Sequence, residues 1–137
     1  MSHMNDNEEK LLNAAKEARA NSYSPYSHFA VGAAVLARSG AIYLGANIEN
    51  ASYPLCMCAE RNALYNALNH GEKKEDLLML AVLGDTPEPI SPCGACRQVF
   101  VELLAPSTPI LCANLKGDLN KTTPQELLPG AFTGDVL

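Results

Sequence analysis

The chain has 137 residues, 47% of them apolar and 18% charged, with a net charge of -5 at pH 7. That length suits one domain able to bury about two thirds of its unfolded surface, and the acidic balance argues against a nucleic-acid partner, which needs clustered Lys and Arg. No apolar run approaches the roughly 20 residues of a membrane helix, and the polar stretch Met1 to Lys10 lacks a signal-peptide core.

These limits predict a single domain over residues 1–137, no membrane association and a cytoplasmic location. Residues 1–7 are expected to be disordered or added by cloning, with Ser2-His3-Met4 reading as a remnant ahead of a native start. Leu11, Leu12, Ala15 and Ala18 recur at helical spacing within a first helix, Glu8 to Ala20. Asn21-Ser22 and Ser24-Pro25 end it. Val31 to Leu36 and Ile42 to Ala46, joined through Ser39-Gly40, read as an antiparallel hairpin. Asn47 to Leu55 is a polar loop. A second helix opens at Cys58 and runs to Leu68, with Gly71 beyond its end. Leu77 to Leu83 is a continuous apolar run, hence a buried strand, and the proline-rich Asp85 to Pro92 is loop. A third helix runs from Cys93 to Leu104, stopped by Pro106. Ile110 to Leu115 and Leu119 to Thr122 are strands whose short link makes them antiparallel. Thr123-Pro124 starts a short closing helix. The order predicts an α/β fold, a three-layer α/β/α sandwich on a five-stranded mixed sheet.

Cys58-Ala59-Glu60 and Pro92-Cys93-Gly94-Ala95-Cys96 carry the chemistry. Cys58, Cys93 and Cys96 offer three thiols to one Zn2+, leaving a fourth tetrahedral position for water. Water at such a site ionises near neutral pH, and Glu60 is placed to shuttle its proton. Both segments begin helices, whose positive ends favour thiolate. Side chains in a first turn lean toward that end, so Cys58 and Glu60 can share one mouth. Three thiolates make the ion a poor Lewis acid. Arg61, ahead of Arg97, is the candidate to draw charge from the sulfurs. Five cysteines is an odd count that suits metal binding better than paired disulfides. This Cys-x-Glu…Pro-Cys-x-x-Cys arrangement is the template of the zinc deaminases.

The chain resembles the small cytidine deaminases of the homotetrameric class from about Leu11 to Phe132. The likeness rests on Ser24-Pro25-Tyr26-Ser27, Phe29-Ala30-Val31-Gly32-Ala33-Ala34, Asn47-Ile48-Glu49-Asn50-Ala51-Ser52-Tyr53-Pro54, Cys58-Ala59-Glu60-Arg61, Pro92-Cys93-Gly94-Ala95-Cys96-Arg97-Gln98 and Leu127-Leu128-Pro129-Gly130-Ala131-Phe132. It implies hydrolysis of cytidine or deoxycytidine at C4, giving the uridine nucleoside and ammonia, in pyrimidine salvage. It further implies that Phe29 stacks on the pyrimidine, a match of flat faces, while Asn47 and Glu49 hold ribose hydroxyls. The Ala59 N–H would steady the tetrahedral oxygen. Ala51, Tyr53 and Phe132 would reach a neighbouring subunit's site, so the partners implied are a pyrimidine nucleoside and three further copies of the chain.

Other readings stand beside this one. Cys56, were it a fourth ligand, would close the zinc and make it structural. Cys93 and Cys96 alone would suit a redox pair. A deaminase of a cytosine-nucleoside antibiotic of the blasticidin type shares the zinc motif, although Phe29 and Asn47-x-Glu49 favour cytidine. Cys112, in an apolar strand, reads as core.

Overall fold

Along residues 4–137, the part of the chain that the computed structural model describes, four α-helices alternate with five strands. They are α1 (Asp6–Ala18), β1 (Val31–Ala37), β2 (Ile42–Ala46), α2 (Ala59–Asn69), β3 (Leu77–Gly84), α3 (Gly94–Leu103), β4 (Ile110–Asn114), β5 (Leu119–Thr122) and α4 (Pro124–Leu127). The sheet order is β2-β1-β3-β4-β5. Among these five strands β3 and β4 pair in parallel and the other neighbours antiparallel. The reason is local: α3 provides the crossover that a parallel pair needs, while the turn before β5 is too short for one.

Alternation along the strands divides two cores. Val31, Ala33, Val35, Leu80, Val82, Ile110 and Cys112 pack under α2 and α3, with Ala63, Leu64 and Phe100. Ala34, Ala81, Leu83, Leu111 and Ala113 pack under α1, with Leu11 and Ala15. The predicted α/β/α layering is therefore present.

Two glycines let the helices sit close. A Cβ at Gly32 would lie 2.0 Å from the Ala15 carbonyl oxygen of α1, and one at Gly45 would lie 2.3 Å from the Ala63 nitrogen of α2. Both contacts are with backbone and cannot relax cheaply. The seat of α2 is then tightened by Asn62 and Asn66, whose side-chain amides donate to the Ala46 and Leu44 carbonyls at 2.8 and 3.1 Å. The helix that opens at Cys58 is thus held to the sheet by fixed contacts.

The start of the fold corrects one expectation. Helix α1 begins at Asp6 instead of Glu8. The Asn5 side chain caps α1 by accepting from the Glu8 N–H at 2.9 Å, and the Glu8 carboxylate accepts from the Asn5 N–H at 3.0 Å. This reciprocal capping box satisfies two donors at the helix start. Glu8 also pairs with Lys121 of β5 at 3.0 Å, bolting α1 to the sheet. The suggested cloning remnant at Ser2-His3 lies outside the described residues.

Candidate active site

Two helix mouths meet on the α2/α3 face of the sheet. Cys58 is the N-cap residue of α2 and Cys93 that of α3, each in extended backbone conformation. Cys96 follows one turn into α3. The sulfurs of Cys58, Cys93 and Cys96 all lie within 4.8 Å of one another, and those of Cys58 and Cys93 are 3.8 Å apart. A tetrahedral ion with Zn–S bonds near 2.3 Å requires sulfurs about 3.8 Å apart. A disulfide would bring them to about 2.05 Å, and all five cysteines are free. The donor set and its spacing fit zinc.

Charge is arranged around this cluster. The Cys58 thiol is pulled down to about 5, first by its hydrogen bond with Cys96, against burial, and then by Arg61 and Cys93. Cys96, sharing that bond from the other side and buried, is pushed well up. Arg61 Nη2 donates to the Cys58 sulfur at 3.3 Å. Burial works against the guanidinium, but the two sulfurs outweigh it and raise its pKa. Its Nε is buried without a hydrogen-bond partner. Arg61 thus points toward the sulfurs.

Glu60 is 4% exposed. Burial first, and the neighbouring Cys58 charge among the lesser causes, raise its carboxyl from 4.5 to about 7. A shift of that size corresponds to roughly 3 kcal/mol against the ionised form. A buried carboxylate beside the thiols, with its pKa raised, is a candidate proton carrier.

Arg97 behaves differently. Its Nε donates to the Pro92 carbonyl at 2.8 Å, Nη1 to the Leu127 carbonyl at 2.9 Å and Nη2 to Ser91 Oγ at 2.8 Å. It clamps the turn that presents Cys93 against the C-terminal segment. Next to it, Gln98 Nε2 donates to the Phe132 carbonyl at 2.9 Å.

Cys56 does not join the thiols. Its sulfur faces Asn50 instead, accepting from the N–H at 3.3 Å and reaching the carbonyl at 3.5 Å, so no four-cysteine centre forms. Cys112 is buried in β4, and its thiol is pushed up to about 12 by burial.

The predicted substrate residues come together from two loops. Asn47 Nδ2 donates to the Phe29 carbonyl at 2.7 Å, while its Oδ1 accepts from the Val31 N–H at 2.9 Å and from Ser22 Oγ at 2.5 Å. Glu49 accepts from the Tyr26 and Ser27 N–H groups at 3.0 and 3.2 Å and from the Ser27 hydroxyl. Its carboxyl is lowered, chiefly by that hydroxyl. Both side chains therefore already hold the loop together, a task the sequence did not disclose. Phe29 is 39% exposed, and the tip of its ring lies near Gly84. Ala59 is fully buried in the first turn of α2, where N–H groups lack intrahelical acceptors. Ala51, Tyr53 and Phe132 are on the surface; Tyr53 is 71% and Phe132 62% exposed. Tyr53 meets only an edge of Tyr26, with centroids 6.4 Å apart.

A broad hollow between α1 and β2, lined by Glu9, Asn13, Ile42 and Leu44, lies on the opposite face and holds none of these residues. What the geometry defines is an α/β/α protein with a three-cysteine site fit for zinc and a buried carboxylate, Glu60, two residues from Cys58. Residues 5–112 match the family described as the cytidine and deoxycytidylate deaminase zinc-binding region. The chain is 50% identical over 125 residues to a cytidine deaminase of Halalkalibacterium halodurans, covering 91% of this chain and 93% of that one. A cytidine deaminase of Sporosarcina psychrophila is 50% identical over 129 residues, covering 94% and 93%. The crystal structure of a cytidine deaminase from Burkholderia pseudomallei superposes with a TM-score of 0.89 at 47% identity, covering 96% of this chain and all of that one. The chain belongs to the cytidine deaminase family.

Proposed function

We propose that this protein hydrolyses cytidine and deoxycytidine to uridine and deoxyuridine, releasing ammonia, in pyrimidine salvage. The observation that carries the reading is Glu60, a buried carboxylate with a raised pKa beside three convergent thiols. The names of the similar proteins support the same substrate.

Cys58, Cys93 and Cys96 would hold the zinc, whose Lewis acidity would make water nucleophilic at neutral pH. Glu60 would accept a proton from water as its oxygen bonds to C4, pass it to N3 of the pyrimidine, and then protonate the amine that leaves as ammonia when the C4–N bond breaks. It serves as base and then as acid. The Ala59 N–H steadies charge developing on the tetrahedral oxygen. Arg61 keeps the sulfur cluster from becoming too electron-rich.

Phe29 offers its face to the base. Glu49 retains one acceptor site beyond the three filled by its loop, since a carboxylate has about four, and Asn47 retains one N–H; these receive ribose hydroxyls. Ala51, Tyr53 and Phe132 complete a neighbour's pocket in a homotetramer. The exposure of Tyr23, Tyr26, Ile48, Tyr53, Leu55 and Phe132 supports an apolar contact surface. Five free thiols suit the cytoplasm, and no helix among the described residues is long and apolar enough to cross a membrane.

Ultraviolet absorbance of cytidine, followed with zinc-loaded and chelator-treated protein, tests the assignment. Conversion to uridine that requires zinc is expected. Turnover of a cytosine-nucleoside antibiotic with none of cytidine would overturn it.

A further inference from the structure

The loop that carries Phe29 is wired to the residues assigned to the sugar. The Phe29 N–H donates to Ser27 Oγ at 3.0 Å, and the Ser27 hydroxyl donates onward to the Glu49 carboxylate. The Phe29 carbonyl is held from the other side by Asn47 Nδ2 at 2.7 Å. Both backbone polar groups of the aromatic are therefore fixed by the Asn47/Glu49 pair, one directly and one through a serine. A hydroxyl can accept from an amide while donating to a carboxylate through one atom, and bonds in such a chain polarise one another.

The backbone between the two residues is shaped for this relay. His28 has a φ of +56°, in the left-handed region, and is the one non-glycine residue there among those described. That conformation disfavours an ordinary side chain and persists where surrounding bonds over-determine it. Here the His28 N–H donates to the Ser24 carbonyl at 3.0 Å, and Glu49 collects the Tyr26 and Ser27 N–H groups.

We propose that Ser27 is a positioning residue that couples the sugar end of the pocket to the base end, so that a ribose hydroxyl engaging Glu49 also sets the Phe29 ring. The inference rests on the substrate roles given to Phe29 and Glu49 above. Its consequence is that base stacking is strongest only for nucleosides carrying the sugar hydroxyls. Discrimination against sugar-modified substrates would then be spread over both ends of the pocket.

The test compares zinc-loaded wild type, Ser27→Ala and Ser27→Thr on cytidine and on 2′,3′-dideoxycytidine. Ser27→Ala is expected to raise KM for cytidine about tenfold, equivalent to about 1.4 kcal/mol, with zinc content intact and kcat within about twofold, the pattern of lost uniform binding. Ser27→Thr keeps the hydroxyl and should restore KM. On dideoxycytidine the Ser27→Ala penalty should fall to about twofold or less, because the hydroxyls that engage Glu49 are gone. An unchanged KM for cytidine, a threonine variant as impaired as the alanine one, or equal penalties on both substrates would overturn the inference. So would loss of zinc or of cooperative melting in Ser27→Ala, which would make the serine merely structural. Phe29→Ala and Glu49→Gln separate the levels of failure. If both leave KM unchanged, the substrate reading falls and takes the inference with it. If both raise KM while Ser27→Ala does not, only the inference falls.

Discussion

The mouths of α2 and α3 look alike and do different work. Each begins with a cysteine in the N-cap position, and each carries an arginine three or four residues later. At α2 the arginine turns back to the sulfur of its own cap residue, and a buried glutamate stands between them. At α3 the arginine turns away, to two carbonyls and a hydroxyl that anchor the ligand turn and the C-terminal segment. One mouth gathers charge, with Arg61 and the buried Glu60 beside the thiols; the other is organised around holding position. The same local motif thus acquires opposite duties from what lies beside it in the fold.

The largest effect that would test this division comes from the shared metal. Cys58→Ala, Cys93→Ala and Cys96→Ala should each lose zinc and with it nearly all turnover, while Cys56→Ala and Cys112→Ala retain both. Metal analysis of the five proteins decides it, and zinc loss from Cys56→Ala would merge the site into a closed four-sulfur centre. Next come the arginines. Arg61→Ala should cut activity or zinc affinity about 10- to 100-fold, the scale of losing a partner behind a ligand. Arg97→Ala should instead cost about 2 kcal/mol of stability, seen in denaturant melts, with a smaller loss of kcat. The reverse pattern would dissolve the contrast. The smallest effect lies on the far face. The Glu8 carboxyl sits below its ordinary 4.5, through the Asn5 cap bond and then Lys121. A depressed folded pKa contributes stability above 4.5 that is lost as pH falls through the folded value. Melting temperature below pH 4.5 should therefore fall more steeply for wild type than for Glu8→Gln. Parallel curves would show that this cap contributes nothing.

Legibility followed the distance over which a residue finds its partner. The thiols and Glu60 could be read because each ligand segment is local and its residue types are chemically rare in that combination. Arg61 was readable for the same reason, one helical turn from Cys58. Arg97 was offered the same role and does not take it, since its acceptors include the carbonyl of Leu127, thirty positions away. Backbone carbonyls have no signature in a sequence. Ser27 was quoted within a motif yet given no duty, because Glu49 lies 22 positions on. The early start of α1 was a different kind of miss: Asn5-x-x-Glu8 is a legible capping box, obscured by setting aside a polar terminus as a whole. The layers of the sheet, by contrast, followed from the order of the elements.

The central claim is that the α2 mouth moves the proton. Its most direct test is the turnover of cytidine by zinc-replete Glu60→Gln beside wild type, with metal content and melting measured on the same samples. The amide has the same size and cannot relay a proton, so activity should fall by about a hundredfold to ten-thousandfold while zinc and fold are retained. Near-normal turnover by the fully loaded variant would contradict the account.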